Sequence, residues 1–131
     1  MEGTSLSFNY NSNSKITASD DLSTNRWYHI AVTFDGGNYI LYVDGIDVGD
    51  SGGSVPNTNN KEFIVGAMDR NPAGGNPNPV NYFSGWAQEL RIWDVSLSIE
   101  QIRHMMNQQI INSGGNVQGA IVPINIPGPP A

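Results

Sequence analysis

Acid–base chemistry in this chain of 131 residues would have to come from two histidines, His29 and His104, and twelve acidic residues, because cysteine is absent. The missing cysteines remove thiol nucleophiles, thiolate metal sites and disulfides together, and leave the redox compartment unread. Neither histidine has a sequence-local partner: no His-Glu-x-x-His, Gly-x-Ser-x-Gly elbow or phosphate-binding loop occurs. His29 therefore reads as a half-buried strand residue bonded to backbone, and His104 as a solvated helix residue. Glycoside hydrolysis needs two carboxyl groups about 5 to 10 Å apart, which on one strand means acids at i and i+2 or i+4. Glu89 has Arg91 at i+2 instead, the makings of an ion pair. A hydrolase would need acids gathered from distant strands.

Oxygen ligands are more plentiful. Asp44, Asp47 and Asp50 recur at every third position, and Asp69, Asn71, Asn76, Asn78 and Asn81 crowd a later stretch. Calcium is held by such carboxylate, amide and carbonyl oxygens, but neither group has the alternating ligands and final Glu of an EF-hand. The first reading makes Asp35 and Asp44 turn formers and the rest solvated loop residues. A structural calcium ion on Asp44, Asp47, Asp50 and Asp69 is the alternative, and no other cofactor is indicated.

The net charge of -6, with six Lys and Arg in all, supplies no cationic patch for nucleic acid or an anionic membrane surface. No apolar run approaches the roughly 20 residues that cross a bilayer. Met1-Glu2-Gly3-Thr4 lacks the basic and apolar parts of a signal peptide, so either the protein stays inside or the chain was cut from a longer one. A chain of this size hides roughly two thirds of its unfolded surface, enough for one domain.

The elements that would position these groups are strands. Leu6, Phe8 and Tyr10 alternate with polar residues, a turn follows at Asn11 to Asn13, and Lys15 to Ser19 reads as the partner strand. From Trp27 to Phe34 the period is again two, with Tyr28, Ile30, Val32 and Phe34 on one face and Trp27, His29, Ala31 and Thr33 on the other. Asp35 to Asn38 permits a tight turn, and Tyr39 to Val43 runs back, closing a hairpin. Asp44-Gly45 makes a second turn into a loop expected from Gly49 to Asn60. Phe63 to Ala67 reads as a short strand, residues 68 to 81 as a long exposed loop broken by three prolines, and Phe83 to Trp93 as a strand bent near Gly85. Then the period changes: Ser98 and Gln101 are spaced as a capping box, Leu97 and Ile102 as a hydrophobic staple, and Gly114-Gly115 as the stop of a helix over about 98–112. One extended piece and a Pro-rich end follow.

Taken in order, "WYHIAVTFDGGNYILYVDG", "FIVGA" and "YFSGWAQELRIWDVSLSIEQIR" resemble the LamG-like jelly-roll family of the concanavalin A-like lectin and glucanase group. The resemblance rests on Trp27, His29, Ala31 and Thr33, then Asp35-Gly36, then Leu41, Tyr42, Asp44 and Gly45. It continues through Val65-Gly66, Phe83 and Gly85, Arg91, and Leu97, Ser98 and Ile102. It covers about residues 5 to 110, with Gln88 where the family often carries an acid. Catalytic relatives use a Glu-x-Asp-x-Glu strand, which is absent.

The resemblance implies an all-β antiparallel jelly-roll sandwich over residues 1–112, with residues 113–131 an extended tail and Pro-rich linker. It implies a non-catalytic module of a large bacterial cell-surface or extracellular protein, taking a glycan or a surface protein through rim loops. The ligand residues expected are Asp69, Asn71, Asn76, Asn78, Asn81, Tyr82 and Trp86, because amides bond sugar hydroxyls and aromatic rings stack on pyranose faces. A structural spacer in a multidomain adhesin is the alternative, and a hydrolase the third reading. The family places further strands before the equivalent of Leu6. A sheet without them exposes an edge, from which an edge-paired or swapped oligomer, or residues 117 to 126 folding back to cover the gap, is expected.

Overall fold

Alternation, turn chemistry and one well-capped helix start shape the elements that form. The computed structural model describes residues 5–10, 14–55, 64–69, 78–110 and 121–123. These fall in two compact units, Met1–Pro56 with Arg91–Ala131, and Asn57–Leu90. Among the described residues the fold is all-β with one short helix, in one three-stranded and three two-stranded antiparallel sheets. No described helix is long and apolar enough to cross a membrane.

In the first unit β1 (Ser7–Tyr10) pairs with β2 (Ser14–Thr17), Phe8 opposite Ile16. β3 (Ile30–Phe34) pairs with β4 (Asn38–Val43), Val32 opposite Leu41 and Phe34 opposite Tyr39. The connecting turn is closed by Asp35, whose Oδ1 accepts the Asn38 and Gly37 N–H groups at 2.8 and 2.9 Å, while Gly36 takes φ +100°. Those two N–H donors, Asn38 first, lower the Asp35 carboxyl below its ordinary pKa. β5 (Ile46–Gly52) completes the sheet in the order β3-β4-β5.

The β5 ladder is a correction to the loop expected from Gly49. Gly49, Asp50, Ser51 and Gly52 have little intrinsic strand preference, but all four pair with β4. Val48 is the extra residue of a bulge, since Leu41 faces Gly49 and Tyr42 faces Asp47. The glycine at 49 is required sterically: a Cβ there would lie 2.8 Å from Ile16 Cγ2 and 3.3 Å from the Thr17 carbonyl oxygen.

The β1–β2 hairpin packs on this sheet as the second layer of a β-sandwich. Ile16, Tyr39 and Leu41 are buried, with Leu6, Phe8, Ala18, Phe34 and Val48 packed around them. Tyr39 stacks on Phe34 at 4.3 Å between centroids, meets Phe8 at 5.6 Å and donates its hydroxyl to the Ser54 carbonyl at 2.9 Å. The cover is partial. Ile30 and Val32, expected on the same apolar face as Phe34, are 47% and 37% exposed. Both lie on β3, an edge strand of this sheet among the described residues.

The helix start conforms to its sequence signals: Ser98 caps α1 (Ile99–Met105), Gln101 N–H donates to Ser98 Oγ, and the Gln101 side chain accepts from Ser98 N–H. Its end does not. The chain leaves the helix at Met106 and forms β8 (Gln108–Ile110) instead of continuing to 112. Arg91 caps this end: its guanidinium donates to the carbonyls of Met105, at 3.1 Å, and of Gln108. It thereby satisfies C-terminal acceptors that a longer helix would have used. Of the tail only β9 (Ile121–Pro123) is described; it pairs antiparallel with β8 in a separate two-stranded sheet and, among the described residues, with no strand of the other sheets, so it does not cover the edge it was expected to cover.

In the second unit β6 (Met68–Asp69) pairs with β7 (Pro79–Val80). Of the strand expected over Phe63 to Ala67, Phe63 lies outside the described residues, and residues 65–67 form bends before β6. The alternating segment from Phe83 to Trp93 forms no strand. Its period is compatible with a strand, but a strand exists only where a neighbour completes its ladder.

Candidate functional site

Two groups of side chains invite a functional reading, one in each unit. In the first, Asp44 sits at the β4–β5 turn with φ +51°, the left-handed region that Asp tolerates better than most residues. Its Oδ1 accepts the His29 N–H at 2.9 Å, its Oδ2 accepts from Arg26 Nη2 at 2.8 Å, and its own N–H donates to the His29 carbonyl at 2.8 Å. Arg26 also lies over the Tyr28 ring at 4.5 Å, and the Tyr28 hydroxyl accepts the Ser23 N–H at 2.9 Å. The Asp44 and Tyr28 side chains fix backbone, while Arg26 bridges these two side chains, and the conspicuous Trp27 to Asp44 stretch closes a sheet end.

His29 is half-buried, and its Nδ1 is buried without a hydrogen-bond partner among the described residues. Burial, then the charge of Arg91, depress its pKa below 6.5, with Asp44 opposing them. The folded state thus prefers neutral imidazole, and the unfolded chain binds the proton more readily. Stability from this site is fully present above pH about 6.5, is lost as pH falls through that value, and levels off below the depressed folded pKa. Urea titrations at a series of pH values should show this loss, and His29→Gln should flatten it.

The aspartates considered for calcium occupy separate local roles. Asp44 is paired with a guanidinium, Asp47 Oδ1 accepts the Gly49 N–H at 3.0 Å, and Asp50 stands opposite Ile40 in the β4–β5 ladder. Asp69 Oδ1 accepts the Asn78 N–H at 2.9 Å. Among the described residues no three His, Cys, Asp or Glu side chains gather as a metal ion would require. A cation already bound to Asp44 and a backbone donor on Asp47 suit turn formation better than calcium.

The second unit holds the expected ligand residues. The Asp69–Asn78 hydrogen bond closes the base of the loop between β6 and β7, on which Asn71 and Asn76 lie outside the described residues. Beyond β7, Asn81 takes φ +52°. Tyr82 is 74% and Trp86 67% exposed. Between them Phe83, read from sequence only as part of a motif, is 61% exposed, and its N–H donates to the Gly66 carbonyl at 2.7 Å. The glycine two positions later is the signal that could have found it. Large apolar side chains displayed together mark interaction surfaces more often than chance.

Comparison with known proteins bears on both groups. A family model described as the Concanavalin A-like lectin/glucanases superfamily, of laminin G type, matches residues 1–103. The chain is 29% identical over 103 residues to the Rattus norvegicus "Sushi, von Willebrand factor type A, EGF and pentraxin domain-containing protein 1", covering 72% of this chain. Its Mus musculus counterpart is 30% identical over 98 residues, covering 71%. The chain spans about 3% of the length of these curated relatives. A crystal structure of an S-layer domain-containing protein from Clostridium thermocellum matches with a TM-score of 0.57 and 28% identity, over 71% of this chain and 45% of that one.

Proposed function

The chain belongs to the concanavalin A-like lectin/glucanases superfamily, and from that premise we propose that it is a recognition module without catalysis, taking a glycan or a surface protein through its second unit. The observation that carries this reading is the exposure of Tyr82 and Trp86 beside Asn78 and Asn81, just past a hydrogen-bonded loop base. Asp69 closes the base of that loop, and Asn71 and Asn76, between β6 and β7 in the sequence, are proposed to add polar contacts. A rigid ladder displaying variable loop side chains is a common way to build such a site.

The relatives fit an extracellular or cell-surface setting within a longer multidomain protein, since the mammalian ones are named for strings of domains and the bacterial one for its S-layer domain. None of these names specifies a reaction. In the first unit the Asp44 carboxylate is engaged by Arg26 and the His29 N–H, so the hairpin offers no acid and nucleophile pair. A spacer role is favoured by how small a fraction of the mammalian relatives the chain spans.

The full chain and a Tyr82→Ala/Trp86→Ala variant should be compared on arrays of plant, algal and bacterial polysaccharides, with and without calcium, and in cell attachment. Retention or attachment by the parent that the variant lacks is expected. A parent that is never retained, with attachment unchanged in the variant, would establish the spacer.

A further inference from the structure

We infer that Phe83 is a ligand-stacking residue of this module and that the ligand is a neutral polysaccharide. The inference rests on the recognition reading above and specifies its ligand. The Phe83 backbone is tied down, its N–H donating to the Gly66 carbonyl at 2.7 Å, and its ring lies over Gly85, where a Cβ would stand 2.6 Å from Cζ and 2.9 and 3.3 Å from the two Cε atoms. The ring is 61% exposed, so it is displayed from a backbone position that is already fixed. A segment ordered before the ligand arrives lowers the entropic cost of binding.

The ligand class follows from the surroundings. Residues 78–88, NPVNYFSGWAQ, contain no charged side chain. They present three exposed aromatic rings, Tyr82, Phe83 and Trp86, and four exposed neutral hydrogen-bonding side chains, Asn78, Asn81, Ser84 and Gln88. A pyranose offers the complement, an apolar C–H face for stacking and a rim of hydroxyls that amides both donate to and accept from. A uronate or sulfated polymer would require cations. That stretch has none, and the chain's net charge of -6 repels polyanions.

The test uses the full chain in affinity electrophoresis and calorimetry against soluble neutral polymers (mixed-linkage β-glucan, arabinoxylan, galactomannan) and anionic ones (alginate, polygalacturonate, dextran sulfate), at low and high salt. Retention by at least one neutral polymer, insensitive to salt, is expected. Phe83→Ala should weaken it about tenfold, the scale of one aromatic contact, and Phe83→Tyr should keep most of it. Gly85→Ala, which pushes the ring aside without removing it, should weaken binding with the circular dichroism spectrum unchanged. Binding only to anionic polymers, abolished by salt, would overturn the neutral class and leave glycan recognition standing. Neutral-polymer binding lost in Trp86→Ala but untouched in Phe83→Ala would remove Phe83 from the site. Retention by no polymer would overturn this inference, while attachment that still depends on Tyr82 and Trp86 would preserve the module as a protein binder.

Discussion

Gly45→Ala should destabilise the first unit by about 2–4 kcal/mol, from left-handed backbone strain and overpacking together. Gly45 is buried at φ +72°, and its carbonyl accepts Arg103 Nε at 2.8 Å. An added Cβ would stand 2.7 Å from Arg103 Cγ and 3.3 Å from Met106 Sδ. Relief requires Arg103 to move, which breaks the hydrogen bond that ties the hairpin turn to α1. Chemical denaturation of parent and variant measures the loss. Gly36→Ala is the informative companion: its φ is also positive, at +100°, but nothing stands within 4 Å of the added carbon. If both variants lost the same stability, backbone strain alone would account for it and the Arg103 contact would contribute nothing.

Leu41→Ala should cost about 2–5 kcal/mol, the range for deleting a fully buried leucine where the surroundings relax incompletely. Leu41 is 1% exposed and lies among Ile16, Tyr39 and the partly buried Phe8, Phe34 and Val48. Ile30, in the adjacent strand, is 47% exposed, and Ile30→Ala should stay within about 0.5 kcal/mol as exposed sites generally do. The pair separates burial from hydrophobicity. Equal losses would mean that the Ile30 end of the sheet is as well covered in solution as the Leu41 end.

Those two residues also show where the sequence could and could not be read. The β3–β4 hairpin was legible because its information is local: a two-residue period on each side of Asp35-Gly36-Gly37-Asn38. The helix start was legible for the same reason, Ser98 and Gln101 being three positions apart. What depends on distant partners was not. Gly49 to Gly52 read as a loop and became a strand because β4 and β2 hold it there. Phe83 to Trp93 read as a strand and formed none. The helix ended short, with Arg91, distant in sequence, donating to the carbonyls of Met105 and Gln108. For the candidate site, Tyr82 and Trp86 could be picked out by type, but the anchoring of Phe83 requires knowing that its ring turns back over Gly85.

The Arg103–Gly45 hydrogen bond joins positions 58 residues apart. During synthesis the turn emerges long before its latch does: at ordinary elongation rates the delay is roughly 3 to 12 s. Through that interval the nascent hairpin has its ladder partners available but not the contact that secures its far end, and a hairpin alone is marginally stable at best. That interval is when a holdase would have most to bind, and slower translation of the helix codons would lengthen it.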